Sequence, residues 1–426
     1  MVIYDSLSIL IGRISDFFGK NSDIERLTLT MPYLAVTIIL YTYTSERFMK
    51  KVFFTVISLL ITISLLGSFA SCVKVYVSEY STNLELDDKG EFKILTLSDL
   101  HFMNAADGKE KDRDDDMFYR MDLLVNNSDP DLIVLLGDMV YCDNKIPALE
   151  RLIEKMDNYK KPWACVYGNH DPENANNKEM TRQDSDNNKL AMNEVLIQSE
   201  YCLFKAGPEN INGSGNYTVN IVNDKKMIIQ TLFFLDSGDY IRKYDIDNND
   251  FIPATAISAY MNYGSIYPNQ IEWYENTIKD IARCNRRKTV PSMAFFHIPL
   301  PEYKTVWKLY QEESDEVKWY DGRLEEFDIL DNGGVTSPSF NTGMFDKMVQ
   351  LKSTKAVFTG HDHGNDFSIE YKGIRLNYNG GLRHIAYALS DKTIESMFGG
   401  REIIIKEDGS FIINRLLIKD LIEQNN

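Results

Sequence analysis

Five short polar blocks carry the chemistry of this chain: Asp99-Leu100-His101, Gly137-Asp138, Gly168-Asn169-His170-Asp171, His297 and Gly360-His361-Asp362-His363. Each directly follows a stretch that reads as a buried β-strand. Five of the six histidines fall in them. Strand ends of an α/β sheet converge on one edge. Imidazoles and carboxylates placed there repeatedly point to a site for two metal ions. Side chains at i and i+2 of a strand point the same way, so Asp99 and His101 can share one metal if the strand direction persists. Gly137 permits a tight turn, and Asp138 ends its strand, where a carboxylate between two cations can bridge them. Asn169 offers a neutral carbonyl oxygen. His170 is then left to act beside the metals, with Asp171 to orient its ring. His297 ends a strand, and His361 and His363 repeat the i, i+2 spacing after a glycine.

Each block alone has a bland reading as a satisfied core histidine or a turn residue. Gly-Asp carries no information alone, and Asp-x-His carries little. Gly-Asn-His-Asp is strong, and Gly-His-x-His after a buried strand is nearly so. All five together favour a site. Imidazole with carboxylate suits zinc, iron or manganese, and the absence of thiolates argues against copper(I) and iron–sulfur clusters. The expected cofactor is therefore two divalent or mixed-valence ions, Fe, Mn or Zn. Two ions about 3.5–4 Å apart would clamp a phosphoryl group and generate a metal-bound hydroxide nucleophile. They would also stabilise charge on the equatorial and leaving oxygens. His384 lies outside the pattern and reads as a surface or structural histidine.

The chain resembles the calcineurin-like metallophosphoesterases, and within them the purple acid phosphatase-like branch. The resemblance rests on Leu97-Ser98-Asp99-Leu100-His101, Tyr167-Gly168-Asn169-His170-Asp171, Phe295-Phe296-His297-Ile298-Pro299 and Gly360-His361-Asp362-His363-Gly364-Asn365-Asp366. It covers residue 92 to the last strands. It implies an α/β fold, a β-sandwich flanked by helices in four α/β/β/α layers, with the site at loops on one edge. It implies Asp99, His101, Asp138 and His363 at one metal, and Asp138, Asn169, His297 and His361 at the other. It implies His170 as the phosphate-contacting histidine that protonates the leaving group. Gly137-Asp138-Met139-Val140-Tyr141 departs from a uniform pattern. In purple acid phosphatases a tyrosinate three residues after the Asp binds ferric iron, and those enzymes usually lack the histidine present here as His101. His101 is the expected ligand, and Tyr141 is an additional candidate that packs near the site. The implied activity is hydrolysis of phosphate esters, a monoesterase first, with a phosphodiesterase of nucleotides or lipid head groups, or an inactive metal-binding protein, as alternatives.

The elements that must position these blocks surround them. Residues 92–98 alternate as a strand, 117–125 form an amphipathic helix, and 132–136 are a continuous apolar run, as in a strand covered on both faces. Residues 146–156 read as helix and 163–167 as strand, giving β-α-β-α-β and hence a parallel sheet with helices on its faces. Residues 172–189 are polar and read as loop. Strands follow at 217–222 and 227–235, a helix at 271–281, strands at 292–296 and 355–359, and late hairpins over 369–377 and 402–414. Residues 299–341 read as a long loop over the site, in which Tyr303, Trp307, Trp319, Tyr320 and Arg323 either select the substrate or, an equally good reading for each, simply pack a large insertion.

The net charge of -17 argues against nucleic-acid binding. The acidic clusters at 107–116 and 245–250 read as solvated loops. The second lacks the Gly and Glu of an EF-hand. Residues 52–70 are apolar and uncharged behind Arg47, Lys50 and Lys51, long enough to span a bilayer with the N-terminal side cytoplasmic. A weaker apolar stretch covers 27–43. Read from Met49, residues 49–74 are a secretory signal, ending in a lipoprotein-like box at Phe69-Ala70-Ser71-Cys72. Met49 is then an alternative start, with 1–48 an upstream segment; read from Met1, the run is a membrane anchor. Either way the catalytic domain, 75–426, is expected outside the cytoplasm, membrane-associated or secreted. Cys142, Cys165, Cys202 and Cys284 lack metal-ligand spacing, and an exported chain permits disulfides.

Overall fold

Three of the strands that precede the polar blocks are buried throughout because both of their faces are covered. Leu132–Leu135, Trp163–Cys165 and Ser292–Phe295 are buried at every residue. These strands belong to a computed structural model that describes residues 76–174, 180–258, 262–324, 334–383 and 395–424. Val73–Asn426 is one compact unit. The described residues begin with β1 (Ser81–Glu85), β2 (Glu91–Leu97), α1 (Gly108–Ser128), β3 (Leu132–Leu135), α2 (Lys145–Asp157), β4 (Trp163–Cys165) and α3 (Arg182–Leu196). Then come β5 (Tyr217–Val222), β6 (Ile228–Phe234), α4 (Lys243–Asn248), α5 (Pro268–Cys284), β7 (Ser292–Phe295), α6 (Glu302–Gln311) and β8 (Val317–Asp321). They end with α7 (Met344–Leu351), β9 (Thr354–Thr359), β10 (Ser368–Tyr371), β11 (Ile374–Tyr378), β12 (Gly399–Lys406), β13 (Phe411–Leu417) and α8 (Ile418–Gln424).

Among the described residues the strands form two sheets. One has eight strands in the order β1-β5-β6-β7-β9-β11-β10-β8, and the other five in the order β13-β12-β2-β3-β4. Neighbours β2, β3 and β4 run parallel, and so do β6, β7 and β9. The five polar blocks follow the C-terminal ends of β2, β3, β4, β7 and β9, so each sheet delivers its share of them.

Alternation along the larger sheet separates two cores. Leu232, Phe234, Met293, Phe295, Ala356 and Phe358 pack with the five-stranded sheet and helices α1 to α3. Phe233, Leu235, Ala294, Phe296 and Val357 pack on the other side with α5, α6 and α7. The result is the expected α/β/β/α sandwich. Within the inter-sheet core, Tyr217, Phe234, Phe295 and Phe358 stack across four strands, with centroids 4.7, 5.2 and 5.0 Å apart. These four are direct register partners. His297 lies two residues past Phe295 and Gly360 two past Phe358, so this aromatic ladder fixes the register that brings the two blocks level.

Several sequence expectations are corrected. The acidic stretch 107–116 is mostly the first turns of α1, not loop. Its Lys111–Asp115 and Arg113–Glu110 pairs suit a helix, and Asp114 is buried on Arg383. Residues 172–189 are only partly loop. Helix α3 starts behind a capping box in which Asp184 N–H donates to the Thr181 side chain and Thr181 N–H to the Asp184 side chain. In the 245–250 stretch, Asp245 is buried and paired with Arg182. The segment 299–341 carries α6 and β8. Tyr303 is fully buried there, and Trp307 and Trp319 pack on Phe367, so these side chains are core rather than substrate loop. The four cysteines are free thiols. The apolar runs, the Cys72 box and His384 lie outside the described residues, among which no helix is long and apolar enough to cross a membrane.

Truncating the ladder tests its role. Phe295→Ala is expected to lower unfolding free energy by about 3–5 kcal/mol, read as a lower urea midpoint; a loss under about 1 kcal/mol would show that the ladder does not hold the sheets.

Candidate metal centre

The loops after β2 and β3 are laced together by their backbones. His101 N–H donates to Asp138 O at 2.8 Å, and Phe102 N–H to Met139 O at 3.0 Å. The strand direction does not persist through either loop. Asp99, His101 and Asp138 adopt left-handed conformations with φ of 54°, 41° and 50°, and His361 has φ 79°. The side chains therefore converge through tight left-handed turns rather than through a strand's i, i+2 alternation. Strained backbone of this kind persists only where its surroundings enforce it. Two glycines allow the loops to close. A Cβ on Gly168 would lie 2.1 Å from Asp138 Oδ1, and one on Gly137 would lie 2.7 Å from His297 Nδ1.

Two groups of ligand atoms meet at Asp138. In the first, Asp99, His101, Asp138 and His363 each bring one atom, all within 4.8 Å of one another. His101 Nε2 is 3.0 Å from His363 Nε2, which is 3.3 Å from Asp99 Oδ1. In the second, Asp138 Oδ2, Asn169 Oδ1, His297 Nε2 and His361 Nε2 are buried without a hydrogen-bond partner. His297 Nε2 lies 3.2 Å from Asp138 Oδ2 as an ion pair. The His297 Nδ1 meets Leu136 O at 2.7 Å; donation there leaves the Nε2 lone pair for the centre. Asn169 donates Nδ2 to Tyr240 OH at 2.9 Å, which turns its Oδ1 inward. Asp138 Oδ2 and His297 Nε2 are thus compensated by charge alone, whereas Asn169 Oδ1 and His361 Nε2 meet no donor; buried acceptors without donors are costly, and a cation satisfies them. The donor set therefore fits two ions that share Asp138.

The electrostatics prepare these groups as ligands. Burial pushes the Asp99 carboxyl up, but His363 and His297 outweigh it and hold it at about 2. Asp138 is likewise held well below the usual carboxylate range against its burial, by His297, His170 and His101. Burial drives His101 and His361 well below the ordinary imidazole value, so both are neutral. His297 goes the other way, to about 9, because Asp138 and Asp99 overcome its burial.

His170 stands beside the centre. Its ring centroid is 5.1 Å from that of His101, and its N–H donates to Asp138 Oδ1 at 2.8 Å. The carboxylate that meets its ring is Glu173, whose Oε2 lies 2.5 Å from Nδ1. The expectation that Asp171 orients this ring is thus corrected. Asp171 turns away and accepts from Met139 N–H, Val140 N–H and Gly168 N–H at 2.8, 3.1 and 2.7 Å. It locks the β3 and β4 loops together. Tyr141 packs edge-on against His101 and His170 at 5.8 and 4.8 Å. Burial, Glu173 and Asp138 push its phenol up in the metal-free protein. Glu173, Tyr240 and Tyr263, whose ring meets His361 edge-on at 4.3 Å, were not singled out in the sequence. Glu173 had one local signal, its place three residues after His170 in a polar turn.

The calcineurin-like phosphoesterase profile matches residues 92–365. The chain belongs to this family. Among its relatives is "Probable inactive purple acid phosphatase 28" of Arabidopsis thaliana, 30% identical over 373 residues, covering 78% of this chain and 83% of that protein. "Probable inactive purple acid phosphatase 29" of the same plant is 29% identical over 71% of this chain and 75% of its own length. "Phosphatase DCR2" of Saccharomyces cerevisiae is 31% identical over 70% of this chain but only 49% of its own length. Within the calcineurin-like phosphoesterases, the chain is of the purple acid phosphatase-like branch.

Against its burial, Asp138 and then Glu173 raise the His170 imidazole. In the metal-free protein its titration midpoint is expected above the ordinary value of about 6.5. Protonated His170 then contributes stability that is full below that value and is lost as pH rises through the folded midpoint. Glu173→Gln should lower the midpoint, followed by ring-proton NMR; an unchanged midpoint would remove Glu173 from this role.

Proposed function

We propose that the chain is a metal-dependent phosphoric ester hydrolase, a phosphomonoesterase. Asp99, His101, Asp138 and His363 would hold one ion, and Asp138, Asn169, His297 and His361 the other. The observation that carries the reading is the second set of buried atoms without hydrogen-bond partners, meeting the four-residue cluster at Asp138. Two ions bound there would polarise a phosphoryl oxygen and lower the pKa of a bound water. Asp138 supplies anionic charge to both positions. His170 is assigned the proton for the leaving oxygen. With Nδ1 engaged by Glu173, that proton is assigned to Nε2. Asp171 keeps the loops closed and touches no substrate.

A second reading is an inactive metal-binding protein, favoured by the names of the plant relatives. The full set of side chains in this chain, with His170 and Glu173 paired beside them, supports activity instead. A diesterase acting on nucleotides or lipid head groups would use the same centre. The full chain supplied with manganese, zinc or iron should hydrolyse p-nitrophenyl phosphate faster than bis-p-nitrophenyl phosphate. His170→Ala should cost about 10²–10⁴-fold in kcat, and Asp138→Ala should abolish turnover. No hydrolysis of either ester with two ions bound would favour the inactive reading, and a preference for the bis-ester the diesterase.

We further propose that the catalytic domain lies outside the cytoplasm, at a membrane. The uncharged apolar run 52–70 behind Lys50 and Lys51 supports this. Protease added to intact expressing cells should degrade the domain; complete protection would refute the placement.

A further inference from the structure

The proposed second ion depends on an amide whose two ends differ by one atom. Asn169 presents Oδ1 to the centre, where it is buried without a partner, and Nδ2 to Tyr240 OH at 2.9 Å. A neutral amide has no charge to aim it, and a half-turn about its last bond would present N–H groups to the cations. With a cation drawing Oδ1 on one side, the Tyr240 hydroxyl on the far side accepts Nδ2 and holds the amide plane, so ion and hydroxyl together favour this orientation over the half-turn.

Tyr240 is itself held rigidly. Its carbonyl accepts from Arg182 Nη2 at 2.9 Å and Arg242 Nη1 at 3.0 Å, and its N–H donates to Asp239 Oδ1 at 2.7 Å. Asp239 is buried and pairs with both arginines, at 2.7 and 3.0 Å. Arg182 is the first residue of α3, and it also binds Asp245 at the start of α4. The Tyr240 ring stacks on Tyr263 at 5.6 Å, and Tyr263 meets the edge of His361 at 4.3 Å. Two ligands assigned to one ion, Asn169 and His361, are thus backed by a single tyrosine pair anchored in a buried charge cluster.

We propose that Tyr240 is a positioning residue for the second ion, its hydroxyl accepting Asn169 Nδ2 and so aiming Oδ1 into the centre. The inference rests on the two-ion reading above. Partners that orient metal ligands are typically worth about 10–100-fold in metal affinity.

The test is calorimetric titration of the metal-free full chain with Mn²⁺, for wild type, Tyr240→Phe, Asn169→Ala and the double variant. Tyr240→Phe keeps the ring and removes the hydroxyl. One of two Mn²⁺ affinities should fall about 10–100-fold and the other hold, with the thermal midpoint of the metal-free protein unchanged. In the double variant, Tyr240→Phe should add nothing to Asn169→Ala. Unchanged affinities, an equal fall at both positions with a lower metal-free midpoint, or full additivity would each overturn the role. A wild type that binds one Mn²⁺ ends the two-ion reading, and the same comparison on that ion still decides the role of Tyr240. A wild type that binds none overturns both.

Discussion

The carboxylate of Asp138 is the constraint on which the rest of the site depends. It is buried, and each of its oxygens has a separate task. Oδ1 accepts the backbone N–H of His170, while Oδ2 faces His101 and His297 at 3.4 and 3.2 Å. Its own carbonyl accepts from His101 N–H. An isolated buried carboxylate would be strongly unfavourable, so the fold must bring compensating charge from several directions at once. It does so with loops from both sheets, and the closeness with which His297 of the large sheet approaches the loop after β3 explains why residue 137 carries no side chain.

That convergence is a property of the sandwich rather than of any one loop. Three parallel strands of the small sheet end at Asp99, Asp138 and Asn169. Two of the large sheet end at His297 and His361. The aromatic ladder Tyr217-Phe234-Phe295-Phe358 holds the large sheet in one register. A slip by one residue would turn the ladder out of the core and misplace both histidines together. Packing between the sheets and geometry at the centre are thereby coupled two residues apart.

The legible parts of the sequence were those with local causes. Continuous apolar runs marked the buried strands, and polar blocks marked their ends. Helix α3 was hidden because its Asn- and Asp-rich composition disfavours helix interiors; only the Thr181-x-x-Asp184 cap betrayed it. The left-handed turns at Asp99 and His101 left no trace, since Asp and His tolerate that region without requiring it. Adjacency misled at His170. Asp171 is its chain neighbour, yet the turn sends that carboxylate to three backbone amides and brings Glu173 to the ring. Tyr240 and Tyr263 were invisible because their partners Asn169 and His361 are remote in sequence.

The same geometry separates two histidines that would otherwise behave alike. Without metals, two ionised carboxylates, Asp99 and Asp138, sit in a buried centre; they help raise His297 to about 9, and Asp138 with Glu173 raises His170 above its ordinary value. Their fates then differ by partner. The Nε2 of His297 faces Asp138 Oδ2 inside the second ligand group, so an ion taking that position displaces its proton, as ligand binding requires. The ring of His170 is tied through Nδ1 to Glu173, a carboxylate that belongs to neither ligand group, so its proton has a counter-charge that cations do not remove. Protons can therefore stand where ions would bind: the one on His297 would yield to an ion at the second ligand group, whereas the one on His170 keeps its own carboxylate partner.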